Sequence, residues 1–445
     1  MALTGLQIYK LLPRTNCKEC GFPTCLAFAM KLAAKQAELK ACPYVSEASK
    51  QQLEAASQPP IRLITLSTDG RKTVAGNEIV LFRHEKTFYN PVPIFVRVKD
   101  TDADLAAKVK DLNAFSVDYV GIKLHLNGVA IENASGDAGK FAAAVEAVRG
   151  ASDFPLILIA KDPAAFEAAM AKAKGAVPMF YCADASNWQA LAPVAKKFKA
   201  PLAVKADGLE ATANLADQVK AAGVHDIVLD PGARDFLGTL TLATQIRRLA
   251  VKKNFRLLGY PVITFPGEGA SSPDVESVLA AQQIGKYAGF VVLDHFTPAS
   301  AYALLVLRQN IYTDPQKPIQ VLPGLYEINA PKPESAILVT TNFSITYFSV
   351  SNEVEGAGLP AWLLVADAEG MSVLTAWAAG KFDADRIAKA VKTTNLESKI
   401  SRKRVVLPGA VSVLLGEVEE ALPGWQIEVG PREAVDIPAF LKLKP

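Results

Sequence analysis

A chain of 445 residues, half of them hydrophobic, has room for two to four domains at roughly 100–200 residues each, with a core in every one. Forty-eight basic residues against 45 acidic ones give a net charge of +3 without long single-sign runs, which argues against a nucleic-acid partner. No stretch reaches the ~18 apolar residues of a membrane span, and "MALTGLQIYKLLP" lacks the basic flank, apolar run and cleavage site of a signal peptide; a soluble cytoplasmic protein is expected.

The first element is a cysteine loop. "NCKECGFPTC" groups Cys17, Cys20 and Cys25, and Cys42 follows directly before Pro43, giving C-x2-C-x4-C-x16-C-P. Clustered thiols in a reducing compartment point to metal ligation rather than disulfides. Structural zinc usually takes paired C-x2-C knuckles or Cys/His mixtures, and no histidine precedes His84. Three thiolates on one loop with a remote Cys-Pro suit a 4Fe-4S cubane, zinc being the alternative. Gly21 and Pro23 let the loop fold round a cluster, and "LAFAMKLAAKQAELKA" reads as a helix returning the chain to Cys42. This module, residues 1–57, is expected to end where "QPP" breaks the helical pattern "EASKQQLEAAS".

Residues 58–90 read as a linker with a short hairpin, from the alternating apolar runs in "IRLITLSTDGRKTVAGNEIVLF". Over residues 91–313, eight β-branched runs recur: "VPIFVRV", "VDYVGIKL", "FPLILIA", "VPMFYCAD", "PLAVKAD", "DIVLDPG", "RLLGYPVITF" and "GFVVLDHF". Alanine-rich helical patterns fill the intervals. Eight alternating strands and helices predict a closed (β/α)8 TIM barrel, with an open doubly wound sheet as the alternative. Cys182, inside "MFYCAD", reads as a buried small hydrophobe, and His295 as a structural histidine.

Proline-rich residues 314–335 read as a linker. Residues 336–445 then alternate strands "AILVTT", "AWLLVAD", "KRVVLPG" and "WQIEVGP" with helical stretches, which predicts a small open α/β sheet. Ligands of such sheets bind beyond the carboxyl ends of the strands. The ends here, "TTNFSIT", "ADAEGMSVLT", "LPGAVS" and "VGPREAV", bring hydroxyls (Thr340, Thr341, Thr346, Ser372, Thr375) and glycines (Gly370, Gly409, Gly430) rather than acid–base pairs. Taken singly they are ordinary turn and cap residues; together they read as a floor for a large polar cofactor. A G-x-G-x-x-G dinucleotide fingerprint is missing.

The run "CKECGFPTCLAFAMKLA…CP", the barrel, and "LVTTNFSITYF" with "EGMSVLTAWAAGKF" together resemble the large subunit of the corrinoid iron–sulfur protein of the reductive acetyl-CoA pathway, across essentially the whole chain. The resemblance implies a 4Fe-4S domain, a TIM barrel paired with a small subunit of similar fold, and a C-terminal Rossmann-like corrinoid domain. Implied cluster ligands are Cys17, Cys20, Cys25 and Cys42. Implied corrinoid contacts are Thr340 and Thr346, then Gly370, Met371, Ser372 and Val373, and the loop around Ala434. Ser372 and Thr375 are candidates for the lower corrin face, helix N-capping being the plain alternative for Ser372. The family's corrinoid domains hold cobalt base-off without a protein histidine, and here His84, His125, His225 and His295 all precede the last domain.

The implied function is methyl transfer. Co(I) accepts a methyl group from a methyltetrahydrofolate:corrinoid protein methyltransferase, and methyl-Co(III) delivers it to acetyl-CoA synthase of the CO dehydrogenase complex. The cluster, fed by a low-potential donor, restores cobalt that has slipped to Co(II). The chain would thus be a carrier and co-substrate, its last domain swinging on "INAPKPES". The alternative is a pterin-dependent methyltransferase acting through the barrel, since Asp184, Asp207, Asp230 and Asp294 stand at predicted strand ends.

Overall fold

The computed structural model describes residues 5–33, 37, 39–47, 49–50, 53, 59–85, 87–119, 122–313 and 319–443. Most of "EASKQQLEAAS", the expected module end at Ser57 and residues 314–318 of the expected linker lie outside the described residues. Two compact units are present. One runs through Phe115 and resumes from His125 to Tyr312; the other joins Ser116–Leu124 to the chain from Thr313 onward.

At the front, helices Gly5–Leu11 and Cys25–Ala33 bury Ile8, Leu12, Phe28 and Ala29 in a small core of their own. The hairpin follows as expected, β1 (Ile64–Ser67) antiparallel to β2 (Lys72–Ala75). Its alternating inward residues Ile64, Leu66 and Ala75 join Phe95, Ile157, Met179 and Phe290 in one core. Ser67 bridges to Val177, and the Thr68 hydroxyl donates to the Asp153 carbonyl at 2.6 Å, both just ahead of barrel strands. The hairpin therefore closes the amino end of the barrel.

The barrel closes through β3 (Ile94–Lys99), then, past the inserted strands β4 (Ser116–Tyr119) and β5 (Ile122–His125), through β6 (Gly128–Glu132), β7 (Leu156–Ile159), β8 (Met179–Ala183), β9 (Leu202–Lys205), β10 (Ile227–Asp230), β11 (Val262–Thr264) and β12 (Ala288–Leu293). Helices cover the outside, so these strands are buried on both faces and read as continuous apolar runs. Several helices start at side-chain caps: Asp137 accepts from the Lys140 amide at 2.7 Å and Asp235 from the Gly238 amide at 2.8 Å. Each such cap contributes about 1 kcal/mol.

One expected barrel strand is corrected. "VDYVGIKL" supplies β4 and β5, which form a separate two-stranded sheet assigned to the second unit; "GVAIE" is the second barrel strand. Val117 and Leu124 are buried while Asp118 and Lys123 are exposed. That alternation belongs to a half-solvated hairpin, whereas β6 is buried at four consecutive positions.

The second unit holds a five-stranded sheet in the order β13 (Gly324–Ile328), β15 (Ala361–Ala366), β14 (Ile337–Thr341), β16 (Arg404–Leu407), β17 (Gln426–Val429). All pairs are parallel except the edge, where β13 runs antiparallel to β15. Helices pack on both faces. Ile337, Phe382, Ile387 and Leu414 belong to one core, and Leu338, Val354, Ile437 and Leu441 to the other.

"INAPKPES", read from sequence as the swinging linker, is part of this unit. Ile328 ends β13 and is buried, and the Asn329 side-chain amide donates to the Val354, Glu355 and Leu359 carbonyls. Trp362 Nε1 donates to the Lys332 carbonyl at 3.1 Å. Prolines here terminate an edge strand, a position where the missing N–H costs nothing.

Candidate functional site

After helix Gly5–Leu11 the chain enters a loop in which Arg14, Asn16 and Lys18 have φ of 61°, 50° and 65°, and Gly21 has φ of 82°. Alternating handedness turns successive amide N–H groups to one side, the backbone arrangement that receives anionic groups, iron–sulfur clusters included. A side chain at Gly21 would meet open space, so glycine is there for its left-handed conformation. The Asn16 side-chain oxygen accepts from the Cys25 amide at 2.8 Å, and Thr24 Oγ1 from the Ala27 amide at 3.0 Å, so the loop returns onto the start of helix Cys25–Ala33.

Cys25 and Cys42 are buried in the same small core, Cys20 packs against it half-buried, and Cys17 is exposed; all are free thiols. Tyr44 Oη donates to Glu19 Oε1 at 2.8 Å. That bond and the Glu19 charge push the Tyr44 phenol up, with smaller contributions from burial and from Cys17 and Cys42 nearby. Among the described residues no three His, Cys, Asp or Glu side chains are gathered to hold one metal ion.

A cleft of about 1020 Å³ opens at the carboxyl ends of β14 and β16. Its floor comes from Leu338, Thr340 and Leu407; its walls come from helix Ser344–Gly356, the turn at Ser372–Leu374 and the stretch from Gly430 to Ile437. Thr340 is 1% exposed, and its hydroxyl has no hydrogen-bond partner among the described residues. A buried hydroxyl without a partner costs about 1–3 kcal/mol, so a polar group offered from the cleft would be met favourably. Around this floor the rim is apolar and open to solvent: Ile345 is 65% exposed, Leu374 55% and Val435 65%.

Asn342, the residue after Thr341, ties the site together. Its side-chain oxygen accepts from the Ala368 amide at 2.9 Å and the Gly370 amide at 3.0 Å, and its amide donates to Asp367 and Gln320. The loop after β15 is thereby fixed against the end of β14, and Gly370, at φ 75°, makes the turn that aims Ser372 at the cleft.

A family model described as CO dehydrogenase/acetyl-CoA synthase delta subunit matches residues 63–441, and another described as a putative Fe-S cluster matches residues 12–44, which include all four front cysteines. A corrinoid/iron-sulfur protein large subunit of Moorella thermoacetica is 45% identical over 444 residues, 99% of each chain. The chain belongs to the corrinoid iron–sulfur protein large (gamma) subunit family. An acetyl-CoA decarbonylase/synthase complex subunit gamma of Methanopyrus kandleri is 35% identical over 454 residues, 99% of this chain and 97% of that one. A dihydropteroate synthase structure from Xanthomonas albilineans overlaps 57% of this chain and 100% of its own at a TM-score of 0.37 and 14% identity.

In this corrinoid iron–sulfur family member, five of the sequence-derived contacts line one cleft: Thr340, Thr346, Ser372, Val373 and Ala434. Gly370, Met371 and Thr375 stand outside its lining. Met371 packs on the core below, and Thr375 accepts from the Ser372 hydroxyl at 3.0 Å. Ser372 occupies the N-cap position of helix Val373–Ala378, yet its side chain makes no cap bond. Gly409 is small for the sake of the backbone at Gly430 and Pro431, which a side chain there would strike. Sequence reading missed Ile345, Ser349 and Asn352 on the cleft face of helix Ser344–Gly356, although their three- and four-residue spacing was available. It also missed Arg432.

At the barrel mouth two of the four strand-end acids, Asp230 and Asp294, are engaged in ion pairs. Asp230, fully buried, pairs with Arg234 at 2.8 Å and accepts from Tyr181 Oη at 2.6 Å. Asp294 pairs with Arg97 at 2.6 Å, and Glu268 joins the two arginines, which sit over the Phe265 ring. Asp184 closes a local turn onto Ser186, and Asp207 stands at the start of helix Gly208–Ala221. In a member of this corrinoid iron–sulfur family, a barrel whose Asp230 and Asp294 are held in ion pairs does not favour the reading of a pterin-dependent catalyst.

Proposed function

We propose that this chain is a methyl carrier that holds a 4Fe-4S cluster on Cys17, Cys20, Cys25 and Cys42 and a cobalt corrinoid in the cleft of its second unit. In this reading it accepts methyl groups from a methyltetrahydrofolate:corrinoid protein methyltransferase and passes them to acetyl-CoA synthase. It works as a heterodimer with a small corrinoid iron–sulfur subunit and takes electrons from a low-potential donor. Residues 1–57 form the cluster domain, the barrel is the scaffold, and the second unit, Ser116–Leu124 with the chain from Thr313 onward, is the corrinoid domain.

The observation that carries this reading is the buried, unpartnered Thr340 hydroxyl on the floor of a cleft of about 1020 Å³, in a chain 45% identical to a corrinoid/iron-sulfur protein large subunit. When bound, a corrinoid supplies the cobalt nucleophile of methyl exchange and a cluster the electron that restores it. The chain supplies binding, orientation and access. Thr340 and Thr346 offer hydroxyls to polar groups on the cofactor's edge. Ile345, Leu374 and Val435 cover apolar surface and keep water out. Ser372, with its hydroxyl turned to Thr375, presents a weak donor, and every histidine of the chain lies in the first unit. A site that offers hydroxyls and no imidazole favours base-off cobalt, whose low oxidation state is then easier to reach.

The cysteine spacing supports a cubane over zinc. Three thiolates on one loop and a remote Cys-Pro, C-x2-C-x4-C-x16-C-P, follow the ligand pattern of such clusters rather than the paired knuckles of structural zinc. The test is metal analysis with absorption and electron paramagnetic resonance spectra of anaerobically purified protein. About four irons and one cobalt per chain are expected, with no side-chain nitrogen on the cobalt. Protein without cobalt overturns the reading.

A further inference from the structure

The cysteine module divides its ligands between two stretches: Cys17, Cys20 and Cys25 on one loop, and Cys42 alone after the turn Leu39–Ala41. A side-chain hydrogen bond joins the two stretches directly, from Tyr44 Oη to Glu19 Oε1 at 2.8 Å, between residues 25 apart in sequence. Glu19 stands between Cys17 and Cys20, and Tyr44 two residues beyond Cys42. Tyr44 is 52% exposed. An exposed bond of this kind adds little to folding, so its position between the two ligand stretches asks for another explanation.

We propose that Glu19 and Tyr44 are the outer-shell clasp of the iron–sulfur centre: the bond holds the Cys42 stretch against the three-thiol loop, and the fixed carboxylate beside the thiolates keeps the centre hard to reduce. The proposal rests on the reading of the four cysteines as cluster ligands. Net charge and hydrogen bonding around the sulfurs are the protein's levers on the potential of such a centre. A carboxylate on the residue beside Cys20 and two from Cys17 opposes the arrival of an electron. Outer-shell partners that fix a ligand's position change metal retention about 10–100-fold when they are removed.

The two roles separate by substitution. Tyr44→Phe removes the bond and keeps the charge. Glu19→Gln removes the charge and keeps an oxygen that accepts the bond. In full-length, anaerobically purified protein, iron release to excess chelator is followed by loss of colour, and the midpoint potential by redox titration under electron paramagnetic resonance. Tyr44→Phe is expected to lose iron about tenfold faster than the unsubstituted protein. Glu19→Gln is expected to hold iron at the unsubstituted rate while its midpoint moves positive, a shift that a merely structural role would not produce. An unchanged release rate in Tyr44→Phe, or an unchanged midpoint in Glu19→Gln, overturns the proposal while leaving the cluster reading intact. Zinc, or no metal, in the unsubstituted protein overturns both.

Discussion

Thr340 and Cys182 are both buried polar side chains, and their surroundings set them opposite tasks. Thr340 lines a large cleft, and its buried hydroxyl lacks a partner among the described residues. Thr340→Val keeps the shape and deletes the hydroxyl. Metal-free protein carrying it should unfold at the same denaturant concentration or be more stable by about 1 kcal/mol, while corrinoid affinity falls about fivefold. Denaturant titration and a binding titration measure the two effects separately. Cys182 is 8% exposed, and its thiol is pushed up to about 12, first by burial and then by the Asp230 charge. A thiol held protonated at neutral pH is a poor nucleophile. Iodoacetamide should therefore leave Cys182 unlabelled in native protein and label it in denaturant, as read by peptide mass spectrometry. The sequence assigned Cys182 correctly from its strand context. The weight carried by Thr340 needed the cleft.

Among the elements, Asn342 does most to build the site, and nothing local in "TTNFSIT" singles it out. Its oxygen serves two buried amides that belong to the next strand's loop, more than twenty residues on. Asn342→Ala leaves both amides without an acceptor, at about 1–3 kcal/mol each. The second unit should lose about 2–6 kcal/mol of stability in urea, and the cleft should lose corrinoid affinity together with it. The strands themselves were legible because each is a short apolar run between turn residues, "AWLLVAD" and "KRVVLPG" among them. "VDYVGIKL" was misplaced for a reason visible afterwards: its β-branched content matched the barrel rhythm while its alternation of buried and exposed positions did not. "INAPKPES" was misread because prolines end an edge strand as readily as they stiffen a linker.

At the scale of the molecule, the chain crosses between its units more often than a single tether implies. Ser116–Leu124 belongs with the second unit although barrel sequence flanks it on both sides. Tyr119 packs against the core that contains Val321, Leu338 and Val354 of that unit; burial pushes the Tyr326 and Tyr347 phenols up, and the Asp118 charge adds to both, after Tyr347 in the case of Tyr326. Tyr119→Ala should lower the stability of the second unit by about 1–3 kcal/mol and leave the barrel's transition in place, because β4 and β5 supply no barrel strand. Calorimetry of the full chain, with the transitions assigned by hydrogen exchange, checks this.

Local chemistry fixed what the sequence could determine alone. Cysteine spacing named the four thiols, hydrophobic period named the eight-stranded barrel and the open sheet, and the family resemblance named the cofactors. Tertiary structure decided what depends on residues far apart in sequence. It showed which hydroxyls share a cleft, that Asn342 binds the loop after another strand, that Arg97 and Arg234 engage the barrel's acids, and that Tyr44 reaches Glu19. Such contacts join positions whose sequence separation is unrelated to their distance, so no local pattern encodes them.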